Sequence, residues 1–260
     1  MGSEMCIRDR VRVPGSIVSI SQGKQKVKIH AEQSEELFNQ VMIRATDIKM
    51  RVNQKKTQLL CVSASNTSEI SSYIRCGDGK IESTNELKML GFIFGSTPSV
   101  RPHVNYMVKK ANKKLWILRH LRRAGLEEED LLRAYNTLVR PTVEYAVPTY
   151  HPMLNQSMRD EIEGIQKRAC RVIFGWDCDY DVLVDSGRVE ALDSRREKLT
   201  MNFARKAEKN PRFEHWFEKS VPERTLRKQS TYVEKFARTE RLRNSPLYYM
   251  RRAMNNDANQ

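Results

Sequence analysis

Apolar residues recur at helical spacing along much of the chain. Segment 31–50 has an apolar stripe at steps of four, four and three residues, which predicts an amphipathic helix. Val104–Arg123 has a similar stripe, and 157–171 and 191–207 are also predicted to be helices. The stripe positions are Leu37, Val41, Ala45 and Ile48, then Val104, Val108, Ala111, Leu115 and Leu118, then Leu131, Tyr135 and Leu138 in a helix that follows.

Shorter apolar runs predict strands, most of them between the first two helices. Gly77-Asp78-Gly79 separates two of these runs and favours a hairpin turn. The pattern therefore predicts an α+β fold, with a small β/α region before a mostly helical region. A cluster of Gly, Ser, Thr and Pro at 95–101 favours the boundary between them. The predicted strands are Ile17–Ile20, Thr57–Ser63, Tyr73–Cys76, Lys80–Glu82 and Leu87–Phe94.

Residues typical of helix ends divide the second half of the chain. Gly125 is placed to end the helix Val104–Arg123. Pro141 and Pro148 bracket a predicted break. Ser157 and Asp160 resemble a capping box at the start of the next helix. The buried face predicted for that helix is Met158, Ile162, Ile165 and Ala169.

The charge balance favours a polyanionic partner. The chain has 46 Lys and Arg against 32 Asp and Glu, a formal net charge of +14. Nucleic acid is the first expectation and an anionic membrane surface is the alternative. The five cysteines are odd in number and lack Cys-x-x-Cys spacing, which fits a reducing compartment. With no membrane-spanning run and no signal peptide, the chain is predicted to be intracellular, in cytoplasm or nucleus, and not secreted.

The helix Val104–Arg123 has a cationic surface. Lys109–Arg123 holds seven Lys or Arg and no acidic residue, a composition that suits contact with phosphates. Trp116 could stack on a base, but a core position is favoured for it. A second basic group lies in 167–171. The predicted contacts to the nucleic-acid backbone are Lys109, Lys110, Lys113, Lys114, Arg119, Arg122, Arg123, Lys167, Arg168 and Arg171.

Catalytic and metal-binding patterns are weak in this sequence. His103, His120 and His151 have no Ser, Cys or carboxylate partner at a known spacing, so surface or capping roles are predicted for them. The acidic segment 177–181 is predicted to form turns rather than a metal site. P-loop and hydrolase motifs are absent. We therefore predict no catalytic residue, no metal site and no cofactor within these 260 residues.

The first ten residues share no pattern with the rest. Met5–Arg10 looks like a translated sequencing adapter. We therefore leave 1–10 out of the prediction of the fold and expect that natural sequence upstream of this point is missing.

In order, several segments resemble the C-terminal part of a non-LTR (LINE-type) retrotransposon reverse transcriptase. The resemblance covers about residues 17–252 and lies in the series more than in any one segment. The similar segments are Glu35–Val41, MRVNQKKT at 50–57, LKMLGFIF at 87–94, residues 103–125, LVRPTVEYAVPTY at 138–150, IQKRACRVIFGW at 165–176 and SPLYYMRR at 245–252.

The resemblance implies roles for these segments. It implies the end of a palm at 11–98 and a helical thumb at 99–217. The polar, basic composition after these predicts a C-terminal extension at 218–260, with Asn255–Gln260 disordered. Asn53, Lys56 and Thr57 would form a palm loop close to the incoming nucleotide. The implied primer-grip residues are Lys88, Leu90, Gly91 and Phe92.

The family's reaction needs aspartates that hold two metal ions, expected to be Mg²⁺. The residues Val11–Ser16 contain no Asp-Asp pair, so this chain is predicted not to polymerise alone. Its expected partners are RNA and DNA, as a template–primer duplex, and its oligomeric state stays open. Two alternatives remain: a non-catalytic basic module that binds nucleic acid, or the product of a decayed element.

Overall fold

The chain folds as two units, Met1–Pro102 and His103–Gln260. The computed structural model describes residues 4–5, 24–62, 73–76, 79–220 and 231–257. Small sheets lie in the first unit and helices dominate the second, which confirms the predicted α+β class. The division at Pro102 falls one residue beyond the Gly-, Ser-, Thr- and Pro-rich segment where the boundary was predicted.

Within the described residues, the helices and strands have the following bounds. The helices are α1 (Lys24–Asp47), α2 (Arg101–Arg123), α3 (Glu128–Ala134), α4 (Arg140–Glu144), α5 (Val147–Tyr150), α6 (Gln156–Phe174), α7 (Tyr180–Asp185), α8 (Leu192–Glu208), α9 (Glu240–Arg243) and α10 (Pro246–Asp257). The strands are β1 (Glu4–Met5), β2 (Arg51–Val52), β3 (Leu59–Leu60), β4 (Tyr73–Cys76), β5 (Gly79–Thr84), β6 (Glu86–Met89) and β7 (Phe92–Gly95).

Helix α1 packs its apolar face on a three-stranded sheet of order β3-β5-β4. Strands β4 and β5 are antiparallel, with Cys76 opposite Gly79, so the predicted hairpin is present. Its turn residues 77–78 lie outside the described residues. A small cluster fills the interface of helix and sheet. It consists of buried Ile74 and Ile81, with Phe38, Met42 and Leu59 partly buried against them.

Strands β6 and β7 form a second antiparallel hairpin, with Met89 opposite Phe92. The single strand predicted at Leu87–Phe94 is therefore wrong. Leu90 and Gly91 turn the chain with φ values of 49° and 84°. Two successive positive φ angles suit a tight two-residue turn, and Gly91 adopts such an angle without strain.

Other predicted elements of the first unit are shorter than expected. Among the described residues 57–62 of the predicted strand Thr57–Ser63, only Leu59–Leu60 pair, and a 3-10 turn at Gln54–Lys56 lies just before them. Ile48 is 56% exposed rather than buried, because α1 ends at Asp47. The predicted strand Ile17–Ile20 lies outside the described residues. So do residues 1–3 and 6–10 of the suspected adapter, whereas Glu4–Met5 runs parallel to β2.

The core of the second unit lies between α2, α3, α6, α8 and the short helices joining them. The face predicted for α6 is confirmed, since Met158, Ile162, Ile165 and Ala169 are all buried. On α2 the predicted stripe is buried except for Val108, which is half-buried. The largest fully buried apolar side chains of the unit include Met107, Leu115, Leu118, Leu131, Ile162, Ile165, Ile173 and Leu192.

A π-helical segment, Tyr135–Val139, joins α3 to α4. It ends with the Arg140 N–H donating to the Tyr135 carbonyl, just before Pro141, which has no N–H to donate. The wider turn moves Val139 into the core and leaves Leu138 39% exposed, so the prediction for Leu138 is wrong. The predicted break is present at Ala146, whose φ is 58°.

Two helix ends show how local capping decides helix bounds. Gly125, at φ 88°, ends α2 as predicted, and its N–H donates to the Arg122 carbonyl at 3.1 Å. The predicted capping box at Ser157 is wrong. Asn155 caps α6 instead, since its side-chain oxygen accepts from the Met158 N–H at 2.9 Å.

The described C-terminal residues belong to the second unit. Asn255–Asp257 lie in α10, so the disorder predicted for the end of the chain is wrong for these three residues. Helix α10 packs on α8. Asn255 is buried and bonds both the N–H and the carbonyl of Tyr232. The apolar residues of this segment are few in number and separated by many charged residues, so their contribution to the core was not predicted from the sequence. The core cluster consists of Ala204, Ala207, Phe217, Tyr232, Met250 and Met254.

Candidate nucleic-acid interface

One exposed stripe runs along α2, on the side away from the core. Its members follow at steps of four, three, four and three, so they share one face of the helix. At a rise of about 1.5 Å per residue the stripe is about 21 Å long. We call it the α2 stripe: Lys109, Lys113, Trp116, His120 and Arg123, all exposed.

Trp116 lies in the middle of this stripe. The core position favoured for it is wrong, because Leu115 and Leu118 take the buried places and leave the indole 59% exposed. Its ring contacts the His120 ring, with centroids 3.7 Å apart, and the Trp116 carbonyl oxygen lies 2.9 Å from His120 Nδ1. His120 is at the surface, as predicted. The stripe thus has a tilted aromatic pair between cations, a combination that can contact both phosphates and bases.

Helix α6 adds cations beside the stripe. Arg168 donates from Nη2 to Asn112 Oδ1 of α2 at 3.1 Å. Together with Val108, Arg119 and Glu161 these two residues line a shallow pocket of about 480 Å³. Arg119 and Arg168 are therefore brought together, and Glu161 places one carboxylate beside them. Asn112 was missed from the sequence, although its place on α2 one turn after Val108 put it next to the core stripe.

The remaining α6 cations differ in their surroundings. Arg171 is exposed, one turn after Arg168. Lys167 is exposed as well, but its Nζ lies 5.1 Å from the centre of the Tyr180 ring. It therefore faces α7 rather than the pocket beside α2, and the structure does not bring it to the α2 stripe.

Lys114 has a structural position that the sequence did not reveal. Its Nζ donates to the Leu138 carbonyl at 2.6 Å, where Thr142 Oγ1 also donates at 3.3 Å. Burial, and second the charge of Lys110, lower the pKa of Lys114. The Lys114 ammonium group is therefore held against the π segment, which makes it a weaker candidate for contact with nucleic acid than the exposed Lys113. Lys110 and Arg122 are exposed outside the stripe.

The three predicted palm-loop residues lie in one 3-10 turn of the first unit. Asn53 Oδ1 accepts from the Lys56 N–H at 3.2 Å, and Thr57 Oγ1 donates to the Asn53 carbonyl at 2.9 Å. Asn53 and Thr57 thus shape the turn, while the Lys56 side chain is exposed. The arrangement can present one ammonium group to an anion.

The predicted primer-grip residues lie around the tip of the β6–β7 hairpin. Leu90 is 64% exposed in the turn, beside Gly91. Lys88 is exposed on β6, and the Phe92 ring lies 4.9 Å from that of Phe94. The tip therefore presents an apolar side chain flanked by one cation.

The two buried histidines are not surface or capping residues, so that prediction is wrong for them. His103 and His151 are both 2% exposed. Their rings lie 5.4 Å from the Tyr150 ring and 5.9 Å from the Tyr249 ring, respectively. Burial lowers the pKa of each to about 4, so both are neutral near pH 7.

The described residues offer no ligand set for the two Mg²⁺ ions that the resemblance implies. No group of three His, Cys, Asp or Glu among them could hold a metal ion. In the acidic segment 177–181, Asp179 caps α7 by accepting from the Asp181 N–H at 2.9 Å. It is a turn residue, as expected, and we derive no polymerisation step from these residues.

None of the described helices is at once long and apolar enough to cross a membrane. No protein-family model matches the chain, and comparison with curated proteins and with solved structures returned no match either.

Proposed function

We propose that the second unit binds nucleic acid through the phosphate backbone, along the α2 stripe. The carrying observation is an exposed helix face, about 21 Å long, with three cations and an exposed Trp-His pair and no carboxylate in the whole of α2. Exposed ammonium and guanidinium groups release counterions from a polyanion and recognise any sequence. The net charge of +14 supports the same partner class.

We further propose that this grip serves a non-LTR reverse transcriptase, of which the chain is the palm end and thumb. The ordered series of similar segments supports this proposal. It is also supported by a β hairpin at the expected primer grip, Glu86–Gly95, before a helical unit with a cationic face. Catalysis in the intact polymerase would depend on aspartates outside this chain. The adjoining genomic reading frame tests the proposal: an upstream frame without an aspartate-bearing palm would overturn it.

A salt titration of binding tests the grip itself. Fluorescence anisotropy with a labelled RNA–DNA hybrid should show affinity that falls steeply between about 50 and 200 mM salt. Lys109→Gln/Lys113→Gln should weaken binding about tenfold and reduce the log–log salt slope by about 1.8, because each phosphate contact on a duplex contributes about 0.9. Binding without salt dependence, or no binding, would overturn the proposal.

The matched control is Lys206→Gln/Lys209→Gln, which removes the same charge from exposed positions at the end of α8. It should change the slope by less than about 0.5. If both double variants weaken binding equally, the affinity comes from net charge rather than from the α2 stripe.

A non-catalytic nucleic-acid-binding module is the second candidate. It is supported by the second unit, which has its own buried core. A thumb should prefer an RNA–DNA hybrid to a single strand of equal length, since a polymerase grips a duplex, whereas a general module should bind both equally.

The product of a decayed element is the third candidate. Exposed Ile43, Val62 and Leu90 in the first unit support it, and light scattering that rises with concentration would favour it.

A further inference from the structure

A second basic site lies at the C-terminal end of the chain, separate from the α2 stripe. A pocket of about 390 Å³ is lined there by residues of the segment 234–237 and of helices α9 and α10. Its lining holds four cations and one carboxylate, Glu234. Glu234 also accepts from Asn255 Nδ2 at 2.8 Å, and Lys235 is paired with Glu218 at 3.8 Å. Arg252 lies over the Tyr249 ring, with its Cζ 5.9 Å from the ring centre, and it also lines the pocket. The lining cations without a carboxylate partner among the described residues are Arg243, Arg251 and Arg252.

Arg251 is the most informative residue of this pocket. It is only 5% exposed, yet it forms no salt bridge with a carboxylate of the described residues. Its Nε donates to the Trp216 carbonyl at 2.5 Å and its Nη1 to the Val233 carbonyl at 3.4 Å. The third nitrogen, Nη2, has no hydrogen-bond partner among the described residues. The two carbonyls therefore fix the guanidinium in place and leave Nη2 available to a ligand or to solvent.

Aromatic side chains line the same pocket. Phe236 is 90% exposed, so its ring faces are accessible to a stacking partner. Tyr248 also lines the pocket and is half-buried. The guanidinium fork matches the oxygens of a phosphate group, and an exposed ring can stack on a base.

We propose that this pocket binds a nucleotide, with its phosphate on Arg243, Arg251 and Arg252 and its base against Phe236. The same chemistry is offered by a free nucleotide and by a nucleotide within a strand. The inference does not depend on the α2 stripe, since the two sites share no residue.

Isothermal titration of the full chain with adenosine monophosphate tests the proposal. Saturable binding with a Kd on the order of 1 mM or tighter is expected at low salt. Arg243→Gln should weaken it at least about fivefold, because this exposed guanidinium faces the phosphate at little cost to folding. The matched control is Arg241→Gln, an exposed arginine of the same helix that does not line the pocket, and it should change the Kd less than about twofold.

Two further arms separate the parts of the ligand. Phe236→Ser should weaken binding of adenosine monophosphate about fivefold and leave inorganic phosphate unaffected, since only the base meets the ring. A thymidylyl trinucleotide without a terminal phosphate distinguishes a free nucleotide from a nucleotide within a strand. If it binds more tightly than the mononucleotide, the pocket holds a strand; if it binds more weakly, the pocket holds a free nucleotide with a terminal phosphate.

Three results would overturn the proposal. The first is no saturation by mononucleotide up to about 10 mM. The second is an equal loss in Arg241→Gln and Arg243→Gln, which would mean diffuse attraction. The third is loss of mononucleotide binding in Lys109→Gln/Lys113→Gln, which would place the bound nucleotide on the α2 stripe instead.

Discussion

The two units of the chain bury their apolar side chains to different depths. In the second unit long helices enclose side chains such as Ile162, Leu131 and Leu118, each at most 1% exposed. In the first unit the α1–sheet cluster has two buried members, Ile74 and Ile81, at 6% and 8%. Strands of two to six residues cover little area, so their stability depends on few contacts. The helical unit therefore has the rigid frame that a binding face needs.

Truncation of one core side chain in each unit should show the difference most strongly. Ile162→Ala should cost about 3–4 kcal/mol, because its closed surroundings cannot collapse around the cavity. Ile81→Ala should cost about 2 kcal/mol, since the partly buried Phe38 and Met42 can move into the space. Urea unfolding of the two variants and the wild type measures both values.

Ile117→Ala is the control for that pair. Ile117 is 39% exposed on α2, and its truncation should cost less than about 0.5 kcal/mol. If Ile81→Ala proved as costly as Ile162→Ala, the first unit would be as tightly packed as the second, and the contrast between them would fail.

Acid should destabilise the second unit selectively. Burial disfavours the charged ring and lowers the pKa of His103 and of His151 to about 4 in the folded chain, against about 6.5 for a histidine in an unfolded chain. The unfolded chain then binds more protons between those two pH values. The stabilisation is complete above about pH 6.5 and is lost as pH falls towards about 4. Each histidine should cost about 2 kcal/mol between pH 7 and pH 5.

Urea unfolding at the two pH values measures this loss. His103→Gln/His151→Gln should flatten the pH dependence, whatever it does to stability at pH 7. The control His215→Gln replaces an exposed ring and should leave the dependence unchanged. A double variant as pH-sensitive as the wild type would assign the acid effect to other groups.

The regular parts of the fold were predictable because helical spacing is a local property. Ile162 and Leu115 could be assigned to buried faces without knowledge of their neighbours. Which residue of a helical turn faces the core was harder to predict where the helical repeat changes locally. Because of the π segment, Val139 and not Leu138 lies in the core. The spacing of apolar residues did not indicate a π segment here. The charge-rich C-terminal segment hid Met250 and Met254, whose burial depends on the distant α8.

The candidate site was predictable as a charged surface but not as a geometry. The number of Lys and Arg residues identified α2 as a cationic helix. It could not distinguish Lys113, which is exposed, from Lys114, which donates a hydrogen bond to the Leu138 carbonyl. Trp116 was misassigned because a large aromatic is more often buried than exposed. In both cases the missing information was which neighbour from a later part of the chain occupies each side of α2.

Separate substitution of these two adjacent lysines distinguishes the structural side of α2 from its proposed binding side. Lys114→Met keeps the apolar stem but removes the hydrogen bond to the Leu138 carbonyl, so it should cost about 1 kcal/mol of stability. It should leave nucleic-acid affinity within about twofold, because its ammonium group faces the π segment. Lys113→Met should change stability by less than about 0.3 kcal/mol and weaken nucleic-acid binding about threefold. Thermal unfolding and anisotropy on the same samples give both values. If Lys114→Met weakened binding more than Lys113→Met did, the binding face of α2 would lie on the side of Lys110 and Lys114. The proposal that nucleic acid binds along the α2 stripe would then be wrong.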